Sequence, residues 1–260
     1  MTKHRNISDP VLIEVCVDSV ASALAAERGG AARVEVCSNL LEGGVTPSAG
    51  LIERVRARTS IGLHVMIRPR GGDFCYTPEE FETMRCDIIA TKKLGADGVV
   101  LGILEVHGNV DIERTHQLVE LARPLRVTFH RAFDISADLF RALEDVCATG
   151  ADRLLTSGGE KTACEAVEQI GRLVEVARGK IAIMACGGIK RDNAASIIER
   201  TGVREIHVGL RSPVVGSTLH HNPRISLGTG CESLRFETQR FEVLEEDVLS
   251  LHGAVALART

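Results

Sequence analysis

The sequence predicts a (β/α)8 barrel of the TIM type, folded as a single domain over residues 1–260. Strand-like and helix-like segments alternate along all 260 residues in eight units of roughly 25–30 residues, which is the repeat length of such barrels. No linker rich in Pro, Ser or charge interrupts the alternation. A doubly wound open sheet is the alternative, but the glycine-rich fingerprint that usually follows its first strand is missing.

The eight predicted strands are short apolar runs rich in β-branched residues, bounded by charged residues or Gly. We predict them at 12–18, 33–38, 62–68, 97–104, 125–132, 152–157, 180–186 and 205–210.

Amphipathic spacing between the strands predicts the helices. Several end at a Gly just past the last turn, where that residue adopts the left-handed conformation; these are Gly29, Gly95, Gly150 and Gly202. The predicted helices include 19–28, 78–94, 111–122, 137–149, 163–177 and 192–200.

The chain after residue 211 departs from the repeat. Residues 212–235 have no clear period and are predicted to be a long loop or extension. Residues 236–256 regain apolar spacing, which favours a helix that closes the barrel. The apolar Phe236 and Phe241 in this segment are also suited to cover a second copy of the chain.

The amino-acid composition limits the classes of partner that we expect. The formal net charge is −4, and no block of Lys and Arg with interleaved aromatic residues is present, so neither nucleic acid nor an anionic membrane surface is expected as a partner. No apolar run approaches the roughly 20 residues of a membrane span. The first ten residues lack the apolar core of a secretory signal, so we expect a cytoplasmic protein.

The eight cysteines do not indicate a disulfide framework, because reducing compartments disfavour disulfides in a domain of this size. None has the C-x-x-C spacing of zinc ribbons or thioredoxin-like sites.

Polar residues share one phase within strands that should be buried on both faces. The first two strands both read Glu-Val-Cys, with Glu14 and Cys16 recurring as Glu35 and Cys37. Because alternate residues of a barrel strand face the interior, this phase is expected to converge there. The inward set is Glu14, Cys16, Glu35, Cys37, His64, Arg68, Thr128, His130, His207 and Arg211.

Buried carboxylates need a cation nearby. We therefore expect Glu14 or Glu35 to contact Arg68 or His130, directly or through water.

The two cysteines are a candidate metal site. Neighbouring strands lie roughly 4.8 Å apart, so the sulfurs of Cys16 and Cys37 are expected within reach of one ion. Two thiolates without a hard ligand suit a soft ion such as Cu(I). The alternative is that both are small residues that fill the barrel.

A second set of residues fits an anionic ligand. The run 66–73 places Arg68, Arg70 and Asp73 at a strand end beside two glycines, and forked guanidinium groups there suit a carboxylate or phosphate. The alternative for Arg68 is an internal ion pair. His64 shares the phase of this strand.

His130, Arg131 and Asp134 offer a base, a cation and an orienting carboxylate in one loop. The late glycine pair Gly187 and Gly188, like the pair in 157–159, favours phosphate binding by backbone N–H groups, although simple turn chemistry explains each as well.

Six blocks of sequence resemble the signature blocks of the CutC family. They are EVCVDS, GAARVEVCSNLLEGGVTPS, HVMIRPRGGDFCYT, LGADGVVLG, VTFHRAFD and LLTSGGEKTA, in family order from about residue 12 to 160, with weaker similarity to about residue 211. The resemblance implies a (β/α)8 barrel, a cytosolic copper-binding or copper-trafficking role, Cu(I) held by Cys16 and Cys37, and a homodimer or higher homo-oligomer.

Two functional hypotheses follow. The first is a cytosolic copper homeostasis protein that binds Cu(I) through Cys16 and Cys37. The alternative is a barrel enzyme of unassigned reaction on a small anionic or phosphorylated metabolite. In it Arg68, Arg70, Asp73, His64, Arg131, Gly187 and Gly188 would bind the ligand, and His130, Glu14 or Glu35 would move protons. Whether a reaction is catalysed stays open.

Overall fold

Eight parallel strands close into a barrel in the computed structural model, which describes residues 10–218, 220, 222 and 239–257. Each strand pairs with its neighbours in sequence, and β1 pairs with β8 to complete the ring. This architecture confirms the predicted barrel. The strands are β1 (Leu12–Val17), β2 (Arg33–Val36), β3 (Gly62–Met66), β4 (Gly98–Leu101), β5 (Arg126–Phe129), β6 (Arg153–Thr156), β7 (Ala182–Ala185) and β8 (Glu205–Val208).

Seven helices follow the first seven strands and pack against the outside of the barrel. Side chains cap the starts of the first five, and in the third Thr77 and Glu80 form a reciprocal capping box around Pro78. The short second helix was not among the predicted helices. The helices are α1 (Val20–Arg28), α2 (Ala49–Arg56), α3 (Pro78–Lys93), α4 (Ile112–Ala122), α5 (Leu139–Thr149), α6 (Val167–Ala177) and α7 (Ala194–Thr201).

Three of the four predicted glycine stops adopt the left-handed conformation, with φ of +80° at Gly95, +81° at Gly150 and +71° at Gly202. The prediction for Gly29 is wrong: its φ is −74°, and Gly30 takes the left-handed position at +88°. A Cβ at Gly29 would lie 2.4 Å from the Cβ of Val248, so close packing explains the glycine there.

The segment after β8 begins with a strand. β9 (Ser212–Val215) pairs antiparallel with β10 (Gln239–Glu242), so 212–215 is not loop. Helix α8 (Glu245–Leu257) begins later than the predicted 236, and it lies against α1 and α7. Residues 223–235 and Phe236 lie outside the described part of the chain. The assignment of all 260 residues to one domain stays a prediction.

The inward side chains stack in layers contributed by alternate strands, as is general for this fold. Their apolar members form two clusters separate from the main core, which lies between strands and helices. From the amino ends of the strands upward, the register gives Arg33, Gly98, Arg153 and Glu205; then Glu14, His64, Thr128 and Met184; then Glu35, Val100, Leu155 and His207; then Cys16, Met66, His130 and Cys186.

Candidate metal centre and ligand cavity

The two cysteine sulfurs meet at the carboxyl ends of the first two strands. Cys16 Sγ lies 3.8 Å from Cys37 Sγ, and the two residues are 8% and 0% exposed. The loop after β2 packs onto them, since a Cβ at Gly44 would lie 3.2 Å from Cys37 Sγ. The predicted proximity of the two thiols is therefore present in the structure.

Glu35 and His207 extend the thiol pair into a larger cluster. Cys37 Sγ lies 3.3 Å from Glu35 Oε2, and His207 Nε2 lies 3.8 Å from the same oxygen. Ligand-type atoms of Cys16, Glu35 and Cys37 all lie within 4.8 Å of one another, as do those of Glu14, Glu35 and His207. The cluster thus offers two soft sulfur donors beside harder oxygen and nitrogen donors.

The two thiols have opposite protonation preferences. The hydrogen bond from Cys37, together with His207, lowers the pKa of Cys16 to about 5 although burial opposes the shift. The pKa of Cys37 is raised well above its usual value by the same hydrogen bond, by burial and by the negative charge on Cys16. At neutral pH the pair therefore holds one thiolate and one thiol.

The carboxyl groups beside the pair also differ. Burial raises the pKa of Glu35 well above its usual range, and the nearby charges of Cys16 and Glu14 add to the shift. Burial has the same tendency at Glu14, but Arg33 and His207 outweigh it and hold the pKa of Glu14 well below its usual range. The pKa of His207 is raised well above its usual value, because Glu35, Cys16 and Glu14 outweigh burial.

The cation that neutralises Glu14 is Arg33, at the start of β2. Its guanidinium group binds Glu14 and donates to Glu205 at 2.8 Å, and Arg153 donates to Glu205 at 2.5 Å. His207 Nδ1 lies 2.7 Å from the other Glu14 oxygen. Arg33 was not a predicted site residue, yet it shares the phase of Glu35 and Cys37, and that two-residue period is the signal that identifies it.

The expected direct contact of Glu14 or Glu35 with Arg68 or His130 is wrong. Arg68 is 4% exposed, and its guanidinium donates to the backbone carbonyls of Glu42 at 2.7 Å, Gly44 at 2.9 Å and Gly72 at 2.8 Å. Arg68 therefore joins the loops after β2 and β3 rather than neutralising a carboxylate in the barrel.

A cavity of about 350 Å³ opens above the thiol pair, at the carboxyl ends of the strands. Leu40, Met66, Phe74 and Leu155 form apolar parts of its wall. Cys16, Glu35, Arg68, His130, Arg131, His207 and Arg211 are among the polar residues that line it.

His130 is 3% exposed and is held in one orientation. Its Nδ1 accepts a hydrogen bond from the backbone N–H of Ala132 at 3.3 Å, so the ring proton is on Nε2. Its ring lies 4.8 Å from that of Phe74, centroid to centroid. Burial, with the charge of Arg68, lowers the pKa of His130 to about 3. Nε2 has no hydrogen-bond partner within the described residues.

Asp134 does not orient His130. Its carboxylate accepts hydrogen bonds from the backbone N–H groups of Ser157 at 3.0 Å and Gly159 at 3.3 Å, from the Thr156 hydroxyl, and from Arg131 Nε at 2.8 Å. The glycine-rich turn after β6 is thus filled by a side chain of the protein itself, so these two N–H groups are not free for a phosphate.

The remaining predicted ligand residues lie apart from the cavity wall. Arg70 donates to Glu80 at 2.6 Å and to Asp73 at 3.0 Å. His64 lies lower in the barrel, 3.7 Å from Glu14, and burial lowers its pKa to about 4. A Cβ at Gly187 would lie 3.0 Å from the Ser157 Cβ, and one at Gly188 would lie 3.0 Å from the Thr162 Cγ2. The structure thus brings Arg68, His130 and Arg131 to the cavity, but not Arg70, Asp73, His64, Gly187 or Gly188.

No helix in the part of the chain that the structure describes has the length and apolar character that crossing a membrane requires.

The sequence and the fold both match known proteins. The model of the CutC family matches residues 11–212. A CutC family protein of Chromobacterium violaceum is 44% identical over 89% of this chain and 95% of its own length. A human protein named copper homeostasis protein cutC homolog is 44% identical over 92% of this chain and 88% of its own length.

A solved crystal structure has the same fold. The crystal structure of a Streptococcus agalactiae protein assigned to copper homeostasis as CutC superposes with a TM-score of 0.72 and 35% sequence identity, over 76% of this chain and 97% of that one. Since the family match spans most of its length and its relatives align almost end to end, the chain belongs to the CutC family of copper homeostasis proteins.

Proposed function

We propose that the protein binds Cu(I) between Cys16 and Cys37 and handles copper in the cytoplasm. The observation that carries the proposal is the buried thiol pair, with its sulfurs 3.8 Å apart at the carboxyl ends of two neighbouring strands. Two metal–sulfur bonds of about 2.3 Å each are long enough to bridge the two sulfurs.

The chemistry of the donors favours a soft ion. Sulfur ligands select Cu(I) over harder cations, and the burial of both cysteines shields a bound ion from water and oxidants. Met66 and Val100 pack against the pair and give it an apolar surround. Glu35 is the nearest hard donor, and its raised pKa disfavours the ionised form that would bind an ion.

The protonation of the pair also favours metal uptake. A cysteine binds metal as the thiolate, so each bound thiol must first lose its proton. Because the pKa of Cys16 is about 5, only Cys37 has to release a proton at neutral pH. His207, fixed by its contact with Glu14, supplies positive charge beside the Cys16 thiolate.

The decisive measurement is Cu(I) stoichiometry and affinity under anaerobic conditions, by competition with a chromophoric Cu(I) chelator. Wild type is expected to bind one Cu(I) tightly, and Cys16→Ser/Cys37→Ser is expected to lose that site.

The matched control is Cys86→Ser/Cys164→Ser, which removes two exposed thiols instead. It should keep the tight site, and its comparison with the first variant separates specific binding from scavenging by free thiols. Equal, weak uptake by wild type and the Cys16→Ser/Cys37→Ser variant would sink the proposal.

The cytoplasmic location rests on the same pair. Two thiols this close persist in a reducing compartment, where disulfides are disfavoured. Cell fractionation tests it, and recovery of the protein outside the cytoplasm would contradict it. The homo-oligomer implied by the resemblance is tested separately by analytical ultracentrifugation, in which a monomer at all concentrations would refute it.

A further inference from the structure

The cavity above the thiol pair is larger than a metal ion requires. Its volume of about 350 Å³ lies within the range of pockets that bind small organic molecules. Cys16 and Glu35 form part of its floor, whereas Cys37 is fully buried beneath the loop that contains Gly44. Most of the cavity therefore lies beside the candidate copper site and is open to a second kind of occupant.

The wall has the composition of a ligand pocket, with apolar surface and a few fixed polar groups. Leu40, Met66, Phe74 and Leu155 give apolar contact. Phe74 packs against two other side chains of the wall, since the Arg68 guanidinium lies 4.8 Å from its ring centroid and the centroid of the His130 ring lies 4.8 Å away. Such a pocket suits a molecule with an apolar body of a few carbon atoms.

The hydrogen bonding of His130 indicates which polar group the ligand carries. Its Nδ1 is used by the Ala132 N–H, and a Cβ at Gly102 would lie 2.6 Å from Nδ1, so the ring cannot turn over freely. The Nε2–H is a buried donor that no described residue accepts. Leaving a buried donor unpaired costs about 1–3 kcal/mol, which a ligand acceptor would recover.

The excess of positively charged groups on the cavity wall indicates that the ligand's hydrogen-bond acceptor is an anion. Three guanidinium groups line the cavity, from Arg68, Arg131 and Arg211, against the two carboxyl groups of Glu35 and Glu42. Arg211 donates to Asp18 through one terminal nitrogen at 3.1 Å, and its Nε is buried without a partner among the described residues.

The number of unpaired hydrogen-bond donors on the cavity wall favours a carboxylate ligand over a phosphate. Arg68 uses its terminal nitrogens on backbone carbonyls, and Arg131 binds Asp134 and the Ser157 hydroxyl. Arg68 Nε also lacks a hydrogen-bond partner, but the Arg68 guanidinium interacts with the Tyr76 hydroxyl, which does not line the cavity. His130 Nε2 and Arg211 Nε are then the two unpaired donors left for a ligand. Two donors satisfy the two oxygens of a carboxylate but leave a phosphate undersatisfied.

We propose that this cavity binds a small organic carboxylate, with its carboxylate group on His130 Nε2 and Arg211 Nε and its apolar body against Phe74, Met66 and Leu155. The site is separate from the copper proposal and holds whether or not Cys16 and Cys37 bind metal.

The test uses the full-length, metal-free protein and ligand-observed saturation-transfer NMR. The probes are butyrate and benzoate, with butyramide and benzamide as neutral matches of the same shape and inorganic phosphate as a competing anion. Both carboxylates are expected to bind, each at least tenfold more tightly than its amide, and phosphate is expected to displace them poorly.

Two variants locate the binding. His130→Phe keeps a ring beside Phe74 but removes the donor, and Arg211→Met removes the second donor at the edge of the barrel. Each is expected to weaken benzoate binding at least tenfold, the fold-change for loss of one hydrogen bond to a charged group. Arg70→Met, whose guanidinium lies outside the cavity wall, should bind benzoate like wild type. If His130→Phe does not fold, benzoate binding by Arg211→Met still tests the proposal.

Several results would overturn the proposal. They are no saturation transfer to either carboxylate, amides that bind as well as the acids, phosphate that displaces benzoate completely at equal concentration, or unchanged benzoate binding in both variants. The Cu(I) titration of His130→Phe separates the two proposals, because its stoichiometry is expected to equal that of wild type even where benzoate binding is lost.

Discussion

The two ends of the barrel interior treat buried polar groups in opposite ways. Near the amino ends of the strands, Arg33, Arg153 and Glu205 are paired at hydrogen-bond distance, and Glu14 joins them through Arg33. Near the carboxyl ends, His130 Nε2 and one oxygen of Glu35 have no partner among the described residues. Arg33 and Glu205 at one end and Glu35 and His130 at the other are all buried, so burial alone does not explain the difference.

What differs is whether the polar groups satisfy one another. A saturated set has no capacity left for a ligand and acts within the fold, whereas an unsaturated set on a cavity wall is available for one. His64 is the exception in the lower half, since its Nδ1 lacks a hydrogen bond although it lies 3.7 Å from Glu14. A Cβ at Gly98 would lie 2.5 Å from His64 Nε2, so the ring is packed tightly, and His64 does not line the cavity above the thiol pair.

The paired groups Arg33, Arg153, Glu205 and Glu14 form the lower set, and the largest effect is expected from breaking this set at Arg33. Arg33→Met removes the cation that serves both Glu14 and Glu205, and stranding buried carboxylates costs about 3–5 kcal/mol. The free energy of unfolding, measured in urea at pH 7, should fall by that amount. Arg33→Met/Glu14→Gln should recover part of the loss, and a decrease below about 1 kcal/mol in the single variant would show that the lower set is not structural.

A smaller loss is expected at Arg68. Arg68→Met releases the carbonyls of Glu42, Gly44 and Gly72, and hydrogen bonds from a charged group contribute about 1.5–3 kcal/mol. Hydrogen exchange should increase in 39–45 and 70–74 while the strands stay protected. Arg70→Met is the matched control: the Arg70 guanidinium also donates to backbone carbonyls, but its side chain is 36% exposed, so water competes for these bonds and the expected loss is about 0–1 kcal/mol. Equal losses in the two variants would remove the distinction.

The lower set should also give stability a dependence on acid. Burial alone would raise the pKa of Glu205, but Arg153 and Arg33 outweigh it and lower the pKa. The stability that Glu205 contributes is therefore fully present above the unfolded value of about 4.3 and is lost as the pH falls through the lower folded value. Urea unfolding of wild type and Glu205→Gln should differ most near pH 6 and converge near pH 3. A gap that widens toward acid would reverse the assigned sign.

The smallest expected effect concerns the carboxyl ends of the strands and is measured as the alkylation rates of the two thiols there. Cys16 lines the cavity with a pKa of about 5, so its alkylation by iodoacetamide should change little between pH 6 and 8. A thiol of ordinary pKa, near 8.5, should react roughly tenfold faster for each pH unit in that range. Cys37, whose pKa is raised, should react more slowly than Cys16. Site-resolved mass spectrometry reads both rates, and faster labelling of Cys37 would contradict the assigned protonation.

Much of the fold was predictable because its signals are local and periodic. The alternation of strands and helices, the glycine stops and the inward phase of Glu14, Cys16, Glu35 and Cys37 all depend on neighbours within one element. The 3.8 Å contact of the two sulfurs follows from that phase and from the pairing of consecutive strands.

The partners of the charges were harder to predict because they depend on three-dimensional register. Arg68 and Arg33 are both arginines in the inward phase, and only the stacking of layers places Arg33 beside Glu14 while Arg68 reaches the loops above. The role of Asp134 likewise depends on how the loop after β5 lies against the turn after β6. Short elements such as α2 and β9 have too few residues for a clear period.

The position of Asp134 has a consequence for how the barrel responds to its surroundings. Its carboxylate is attached to the chain within reach of the turn that contains Gly159, so the turn experiences an effective local anion concentration on the order of millimolar or higher. A free anion at micromolar concentration cannot displace such a tethered competitor. This part of the barrel rim should therefore not respond to anions that reach only micromolar concentration.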